Sequence, residues 1–175
     1  MKFKDYRIDI KIKSQLEYMG FRKPTDIQYR AIQHVLDGED VMAVAPTGTG
    51  KTAAFAIPMI EKMLQSKRTR PGIRALVMVP TRELAKQISE VIDTIAIKTK
   101  VSCLGLYGGV DQDTQIKSLE KRLDVLVATP GRMFDLISQG YLDLSNVELF
   151  VIDEADLMLD LGFNKDIQDV LRFLP

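Results

Sequence analysis

The sequence predicts an α/β fold, with a mostly parallel sheet and helices on both of its faces. Short apolar runs recur along the chain; each is too short for a helix, and several are rich in valine. Such runs are typical of strands that are buried on both faces, as they are in a parallel sheet. The predicted strands are Val41–Ala45, Ala75–Val79, Val101–Leu106, Val125–Ala128 and Leu149–Ile152.

Helical periodicity fills the intervals between these runs. After Pro80, apolar residues recur at offsets of four, seven, eight and eleven positions from Leu84, which places them on one face of a helix. Ala53–Leu64 is a second candidate helix. Because strands and helices alternate, right-handed crossover connections are expected, and these leave helices on both faces of the sheet.

The first part of the chain differs, because two helical stretches precede any strand. Gly20 is expected to end the first helix and Pro24-Thr25 to begin the second. We interpret residues 1–38 as an appended helical segment and residues 39–175 as the sheet domain. Ser66–Gly72 is rich in Lys and Arg, and we interpret it as a solvated basic loop rather than an RNA-binding patch.

The composition is that of one globular domain. The chain has 175 residues, of which 46% are apolar and 27% charged, and this suffices for one core. Its net charge is zero, which argues against a polycation that binds nucleic acid by bulk charge. A single cysteine, Cys103, excludes an internal disulfide framework and a cysteine metal cluster. No apolar run is long enough to span a bilayer and Met1–Asp5 leads into no signal core, so we expect a cytoplasmic protein, or a piece of one, with no membrane partner.

A glycine-rich segment follows the first predicted strand and precedes a predicted helix. Gly48 and Gly50 allow backbone N–H groups to turn toward phosphate oxygens, and the helix N-terminus adds the positive end of its dipole. Lys51 can reach β- and γ-phosphates, and the Thr52 hydroxyl can bind Mg²⁺. This context predicts a phosphate-binding loop, or P-loop, made of Ala45, Pro46, Thr47, Gly48, Thr49, Gly50, Lys51 and Thr52.

Two other interpretations of this loop are weaker. A glycine turn that carries a lysine by chance is disfavoured by the strand and helix predicted on its two sides. A dinucleotide-binding loop would need a third glycine where Ala53 stands. The loop departs from the usual P-loop pattern at its first position, which is Ala45 instead of glycine.

An acidic motif, Asp153-Glu154-Ala155-Asp156, follows the last predicted strand. Asp153 would face a magnesium ion held at the P-loop, since open α/β sheets bind ligands at the carboxyl ends of their strands. Glu154 would then orient and polarise the attacking water. The alternative is an acidic first turn of the next helix, which the helix dipole favours.

Three further segments follow predicted strands and can contact a nucleic-acid backbone. Two of them begin helices and offer a hydroxyl, backbone N–H groups and an arginine, while the third is a glycine pair that permits close approach. Taken singly, each helix start could simply be a capping motif. The residues are Pro80, Thr81 and Arg82; Thr129, Pro130, Gly131 and Arg132; and Gly108 with Gly109.

In their order and spacing these motifs resemble the first RecA-like domain of DEAD-box ATP-dependent RNA helicases of the bacterial type. The resemblance covers nearly the whole chain and includes an upstream motif, Gly20-Phe21-x-x-Pro24-Thr25-x-x-Gln28. Phe3 stands where that family carries an isolated aromatic residue. The resemblance implies a RecA-like P-loop NTPase domain that uses ATP and Mg²⁺, with Lys51, Asp153 and Glu154 as catalytic residues.

The resemblance also implies roles that the residues alone do not show. Gln28 is expected to read the edge of adenine, with Phe21 stacked on the base and Lys23 nearby. Asp156 is expected to link the nucleotide site to the RNA-binding side. The RNA backbone is expected to be held by Pro80, Thr81, Arg82, Gly108, Gly109, Thr129, Pro130, Gly131 and Arg132.

One departure from the family concerns length. Its members carry a Ser-Ala-Thr motif and a second RecA-like domain after the acidic motif, and neither is present here. We therefore expect the N-terminal half of a helicase, nearly inactive alone, whose partners are RNA and that second domain. A non-enzymatic RNA or protein clamp is the main alternative; a small-molecule kinase would have no use for the Gln28 motif. The sequence does not identify the RNA.

Overall fold

The computed structural model describes residues 2–66 and 71–175, which belong to two compact units. The first unit comprises Met1–Arg68 and Val91–Val101, and the second comprises Thr69–Glu90 and Ser102–Pro175. The predicted helical segment, residues 1–38, lies wholly within the first unit. Residues 67–70 of the predicted basic loop lie outside the described residues.

The first unit is helical. Gly20 follows its first long helix with φ +82°, and Thr25 is the N-cap residue of the next one, as the sequence predicts. The third helix begins at the end of the predicted P-loop. The elements are a 3₁₀ turn at Phe3–Asp5 and helices α1 (Ile10–Tyr18), α2 (Asp26–Asp37) and α3 (Lys51–Gln65).

The N-terminal segment is attached to α3 by a buried carboxylate. Glu61 is only 5% exposed, and its Oε2 accepts a hydrogen bond from the backbone N–H of Asp9 at 2.6 Å. Its other oxygen accepts from Gln65 Nε2 at 2.7 Å. The Phe3 ring packs edge-on against Phe21 with 5.7 Å between centroids. These contacts hold residues 3–9 against α3, which begins at the P-loop, and against Phe21.

The second unit contains a four-stranded, all-parallel sheet with strand order β2-β3-β1-β4. Two predicted strands are confirmed to the residue, and two are confirmed with shorter ends. The strands are β1 (Ala75–Met78), β2 (Cys103–Leu106), β3 (Val125–Ala128) and β4 (Leu149–Ile152). The helices are α4 (Arg82–Ala96), α5 (Gln112–Leu119), α6 (Pro130–Ser138), α7 (Ala155–Asp160) and α8 (Asn164–Val170). The last part of α4, from Val91, belongs to the first unit.

Helices cover both faces of this sheet. On one face, Leu76, Met78 and Leu126 join a cluster of buried apolar side chains contributed by α6, α7 and α8. On the other face, Gly105 approaches α4 so closely that an added Cβ would lie 2.8 Å from Ser89 Oγ. The predicted fold class, a mostly parallel sheet between layers of helices, is therefore confirmed.

The predicted strand Val41–Ala45 is wrong. This segment has no regular structure, and Met42 and Val44 are 93% and 91% exposed. A strand exists only through the hydrogen-bond ladder it shares with a neighbour. Within residues 2–66 and 71–175 this segment forms no such ladder, so its apolar, β-branched composition alone does not make it a strand.

Gly105→Ala tests the contact between α4 and β2. The new methyl group would displace the Ser89 hydroxyl from its 2.9 Å hydrogen bond to the Lys86 carbonyl. We expect a loss of about 1–2 kcal/mol of unfolding free energy in urea denaturation. Adding Ser89→Ala removes the obstructing oxygen and should recover most of that loss; an equal loss in the double variant would contradict the proposed packing.

Candidate functional site

The predicted P-loop turns sharply into the N-terminus of α3. Gly48 and Gly50 have φ angles of +79° and +90°, which side-chain-bearing residues rarely adopt. The Thr49 hydroxyl donates to the Pro46 carbonyl at 2.7 Å and closes the turn. Helix α3 begins at the next residue, Lys51. A tight glycine turn that opens a helix is the arrangement that binds phosphate groups in proteins.

Gln28 connects this loop to the N-terminus of α2. Its side chain is buried; Oε1 accepts from the backbone N–H of Thr25 at 3.0 Å, and Nε2 donates to the Gly50 carbonyl at 3.1 Å. The Thr25 hydroxyl adds a bond to the Thr49 carbonyl at 2.8 Å. A Cβ at position 50 would collide with the Gln28 amide, so this site excludes any larger residue.

The part that Thr25 plays in this connection is not among the sequence predictions. Thr25 and Gln28 form a capping box, in which the two side chains satisfy backbone groups at the start of α2. The Thr-x-x-Gln spacing is visible in the sequence and could have identified it. The bond from Gln28 to Gly50 spans 22 residues, and no local pattern indicates it.

An open cleft of about 440 Å³ lies beside the loop in the first unit. Among its charged lining residues, Asp26 and Arg30 form an exposed ion pair at 3.7 Å, and the sequence analysis gave neither a role. Phe21 is half-buried against Phe3, and Lys23 is exposed. The lining residues are Thr25, Asp26, Ile27, Arg30, Val44, Ala45, Pro46 and Thr49.

The acidic motif follows β4 in the second unit. The Asp153 backbone N–H donates to the Met78 carbonyl at 3.1 Å, and its Oδ1 accepts from the Glu154 N–H at 3.0 Å. Glu154 has φ +53° and ψ +47° and is the N-cap of α7, while Asp156 is exposed in the first turn. Among the described residues, Glu154 alone combines a side chain with a positive φ, and such strain concentrates at functional sites.

The start of α4 lies against the glycine pair. Thr81 Oγ1 accepts from the Leu84 N–H at 3.3 Å, and the Arg82 guanidinium is 64% exposed. The hydrogen bond from Arg82 lowers the pKa of the neighbouring Glu83 carboxyl. Gly109 has φ +80°, and an added Cβ there would lie 3.0 Å from Arg82 Nη1. The arginine of one predicted RNA-binding segment therefore sits over the backbone of another.

The start of α6 contacts the backbone directly after the same glycine pair. Thr129 is the N-cap and Pro130 the first residue of α6, as predicted. Arg132 Nη2 donates to the Val110 carbonyl at 3.2 Å, and Nη1 donates to Gln115 Oε1 at 2.5 Å. All three predicted RNA-binding segments are thus neighbours within the second unit: Arg82 lies beside Gly109, and Arg132 bonds to the next residue, Val110.

Hydrogen bonds lower the pKa of one carboxyl group near these three segments, that of Asp111. Asp111 caps α5, and the bonds that it accepts from the Thr114 hydroxyl and N–H lower the pKa of its carboxyl. Lys117 and Arg132 lower it further by their positive charge.

Across residues 2–66 and 71–175, no group of three or more His, Cys, Asp or Glu side chains could hold a metal ion, and no helix combines the length and apolarity needed to cross a membrane.

Comparison with known proteins identifies the family. The family model described as DEAD/DEAH box helicase matches residues 25–175. The chain belongs to that family. It is 44% identical over 99% of its length to an ATP-dependent RNA helicase, CshA, of Listeria monocytogenes, and 46% identical over 89% to the ATP-dependent RNA helicase DBP3 of Lodderomyces elongisporus. The chain covers 33% and 29% of these relatives, about a third of their length.

A solved structure supports the same conclusion. The crystal structure of a DEAD box protein from the hyperthermophile Methanococcus jannaschii matches the whole chain with a TM-score of 0.91 at 40% identity, and the chain covers 47% of that protein. The RecA-like fold that the resemblance implies is therefore confirmed, and so is the resemblance to DEAD-box helicases.

Two substitutions at Glu154 test whether its left-handed backbone conformation costs folding free energy. Glu154→Gly and Glu154→Ala both remove the carboxylate, but only glycine adopts the left-handed conformation without cost. We expect the glycine variant to exceed the alanine variant by about 1 kcal/mol of unfolding free energy in urea denaturation. At Asp156, within α7, the order should reverse, because glycine destabilises helices. Equal unfolding free energies for the two Glu154 variants would contradict the claim that this backbone conformation is strained.

Proposed function

We propose that this chain is the ATP-binding, N-terminal part of an ATP-dependent RNA helicase. It binds ATP with Mg²⁺ and grips an RNA backbone, and in the full-length protein the two events drive local unwinding of RNA duplexes. The observation that carries this proposal is the bond from the buried Gln28 amide to the Gly50 carbonyl. It joins the motif proposed to recognise the base to the loop proposed to bind the phosphates.

Adenine recognition by Gln28 would exchange existing bonds. The side-chain amide has one acceptor and one donor group, both now bonded within the first unit. The edge of adenine also offers a donor and an acceptor, so the base can replace these partners without leaving the buried amide unsatisfied. We propose that Phe21 stacks on the base and that Lys23 lies nearby. Base binding would thereby change the contact that restrains Gly50.

Oxygen donors suit the magnesium ion that accompanies ATP. The proposed ligands are the hydroxyl of Thr52, in the first turn of α3, and the carboxylate of Asp153 at the end of β4. Hydroxyl and carboxylate oxygens are the ligands that Mg²⁺ prefers, and the Glu154 N–H fixes the orientation of the Asp153 carboxylate at 3.0 Å. When bound, the ion neutralises charge on the phosphates.

The catalytic roles follow from charge and position. Lys51 would stabilise negative charge on the β- and γ-phosphates, together with the backbone of residues 45–52. Glu154 would accept a hydrogen bond from the attacking water and orient it. Asp156, two residues further along the same acidic motif, would transmit the state of the nucleotide to the RNA-binding side.

The RNA contacts would be local. With no net charge on the chain, bulk attraction to phosphates is absent, and affinity must come from placed groups. Arg82 and Arg132 supply positive charge beside Gly108-Gly109, and at Gly108 the space that a Cβ would occupy is open. Thr81 and Thr129, with Pro80, Pro130 and Gly131, form the helix starts beside them. Such contacts recognise phosphates and sugars, with little dependence on base sequence.

Lys51→Ala tests the enzyme against a non-enzymatic clamp. We expect RNA-stimulated ATP hydrolysis by the full-length protein to fall about 10²–10³-fold, because charge stabilisation at the phosphates is lost, while the chain stays folded. Lys62→Ala, near the other end of α3, is the control and should retain activity. Near-normal turnover by the Lys51 variant would contradict the P-loop assignment. A wild-type protein that binds RNA without hydrolysing ATP would favour the clamp.

Gln28→Ala tests base recognition. We expect ATP affinity to fall by about 1–3 kcal/mol and GTP affinity to fall less, because the lost hydrogen bonds are specific to adenine. Gln33→Ala is a matched control on α2, since among the described residues its amide bonds only to the exposed Asp37, at 2.9 Å. Isothermal titration calorimetry measures the dissociation constants of both nucleotides for each variant. Equal losses for ATP and GTP would mean that Gln28 serves the loop and not the base.

RNA binding should be sensitive to salt and insensitive to sequence. We expect Arg82→Ala to reduce the slope of log Kd against log salt concentration by about 0.7 for single-stranded RNA, because one phosphate contact is lost. Arg172→Ala removes another exposed arginine, whose side chain is 79% exposed against 64% for Arg82, and serves as the control. Fluorescence anisotropy with oligonucleotides of equal length measures both properties. A strong preference for one sequence would refute the backbone contacts.

A further inference from the structure

Gln115 is a buried polar residue that none of the motifs includes. It lies in α5, is 6% exposed, and belongs to the second unit together with the predicted RNA-binding segments. A buried side-chain amide is costly unless both its donor and its acceptor are satisfied. The hydrogen-bond partners of its donor and acceptor therefore indicate why a glutamine occupies this position.

Both halves of the Gln115 amide bond to segments that flank the proposed RNA site. Nε2 donates to the Tyr107 carbonyl at 3.1 Å, directly before Gly108. Oε1 accepts from Arg132 Nη1 at 2.5 Å. Arg132 in turn donates through Nη2 to the Val110 carbonyl at 3.2 Å, directly after Gly109. The amide thus bonds to the residue before the glycine pair and the guanidinium to the residue after it.

This arrangement requires a donor and an acceptor on one short side chain. A carboxylate at position 115 could accept from Arg132 but would repel the Tyr107 carbonyl, and an apolar side chain would bond to neither. The two bonds use only part of the Arg132 guanidinium, which carries further N–H groups in a rigid plane. With two of its donors held by the protein, the remaining ones keep a fixed direction and lose little freedom when they meet a ligand.

We propose that Gln115 is a positioning residue for RNA binding, which holds Arg132 and the Gly108-Gly109 backbone in the arrangement that grips a phosphate. The inference rests on the proposed function, because it assigns Arg132 to an RNA phosphate. Gln115 is too buried to contact RNA itself and acts through Arg132 and the loop. The amide links the backbone before the glycine pair to Arg132 in α6, which itself bonds to the backbone after the pair.

The test compares Gln115→Met, Arg132→Ala and the double variant in the full-length protein. Methionine keeps the length and approximate volume of glutamine but makes neither hydrogen bond. Gln115→Asn, whose amide is too short to reach both partners, replaces it if the methionine variant does not fold. Gln112→Ala is the matched control, because within the part of the chain that the structure describes this glutamine of α5 bonds only to the Gln139 side chain, at 2.9 Å. The probe is a short fluorescent oligouridylate.

We expect Gln115→Met to weaken RNA binding about tenfold and to lower the salt slope by about 0.7, as Arg132→Ala does. The double variant should bind no more weakly than Arg132→Ala alone, because both changes remove the same contact. Affinity for an ATP analogue without RNA should be unchanged. A purely structural role would not alter the salt slope.

Three results would overturn the inference, and they differ from failure of the proposed function. The inference is wrong if Gln115→Met binds RNA as the wild type does, if its salt slope is unchanged, or if its effect adds to that of Arg132→Ala. If Arg132→Ala itself leaves RNA binding unaltered, the assignment of Arg132 to a phosphate fails first, and the role of Gln115 fails with it.

Discussion

Parallel strands bring their carboxyl ends to one edge of a sheet, and the second unit depends on this constraint. The ladder pairs Met78 with both Ala128 and Ile152, and it pairs Leu106 with Ala128, so the four strands end at one level. Each functional segment of this unit begins within a few residues of such an end. The start of α4, the glycine pair, the start of α6 and the acidic motif therefore follow the same edge of the sheet, and the hydrogen bonds of Arg132 and Gln115 then fix the glycine pair against the start of α6.

In the first unit the P-loop is held in place by side-chain hydrogen bonds, because the segment before it is not a strand. Here a single buried amide and a threonine hydroxyl hold the loop to the beginning of α2. Two requirements meet at Gly50: the backbone adopts a conformation that disfavours side chains, and the Gln28 amide occupies the space that a side chain would need. Either reason would select glycine, and together they tie the shape of the loop to the identity of a residue 22 positions earlier.

The sequence predicts elements that depend on local pattern and misses those that depend on a partner. β3 and β4 are predicted to the residue, because their apolar runs stop at polar or helix-starting residues. Val41–Ala45 has the same composition and is not a strand, since composition does not supply a neighbouring backbone. The P-loop glycines and the cap at Thr129 follow from local rules. Gln115 could not be predicted, because a lone glutamine on a helix gives no indication of its burial or its two partners.

The attachment of the N-terminal segment to α3 has a consequence for synthesis of the chain. Asp9 precedes its partner Glu61 by 52 residues, so on the ribosome the first helix is made well before the carboxylate that will anchor it. At about 5–20 residues per second, that interval lasts about 3–10 s. During this time the side chains of Phe3, Ile12 and Leu16, which are buried in the folded protein, have no complete core to enter. The apolar side chains of this segment therefore reach their final packing only after α3 has been made.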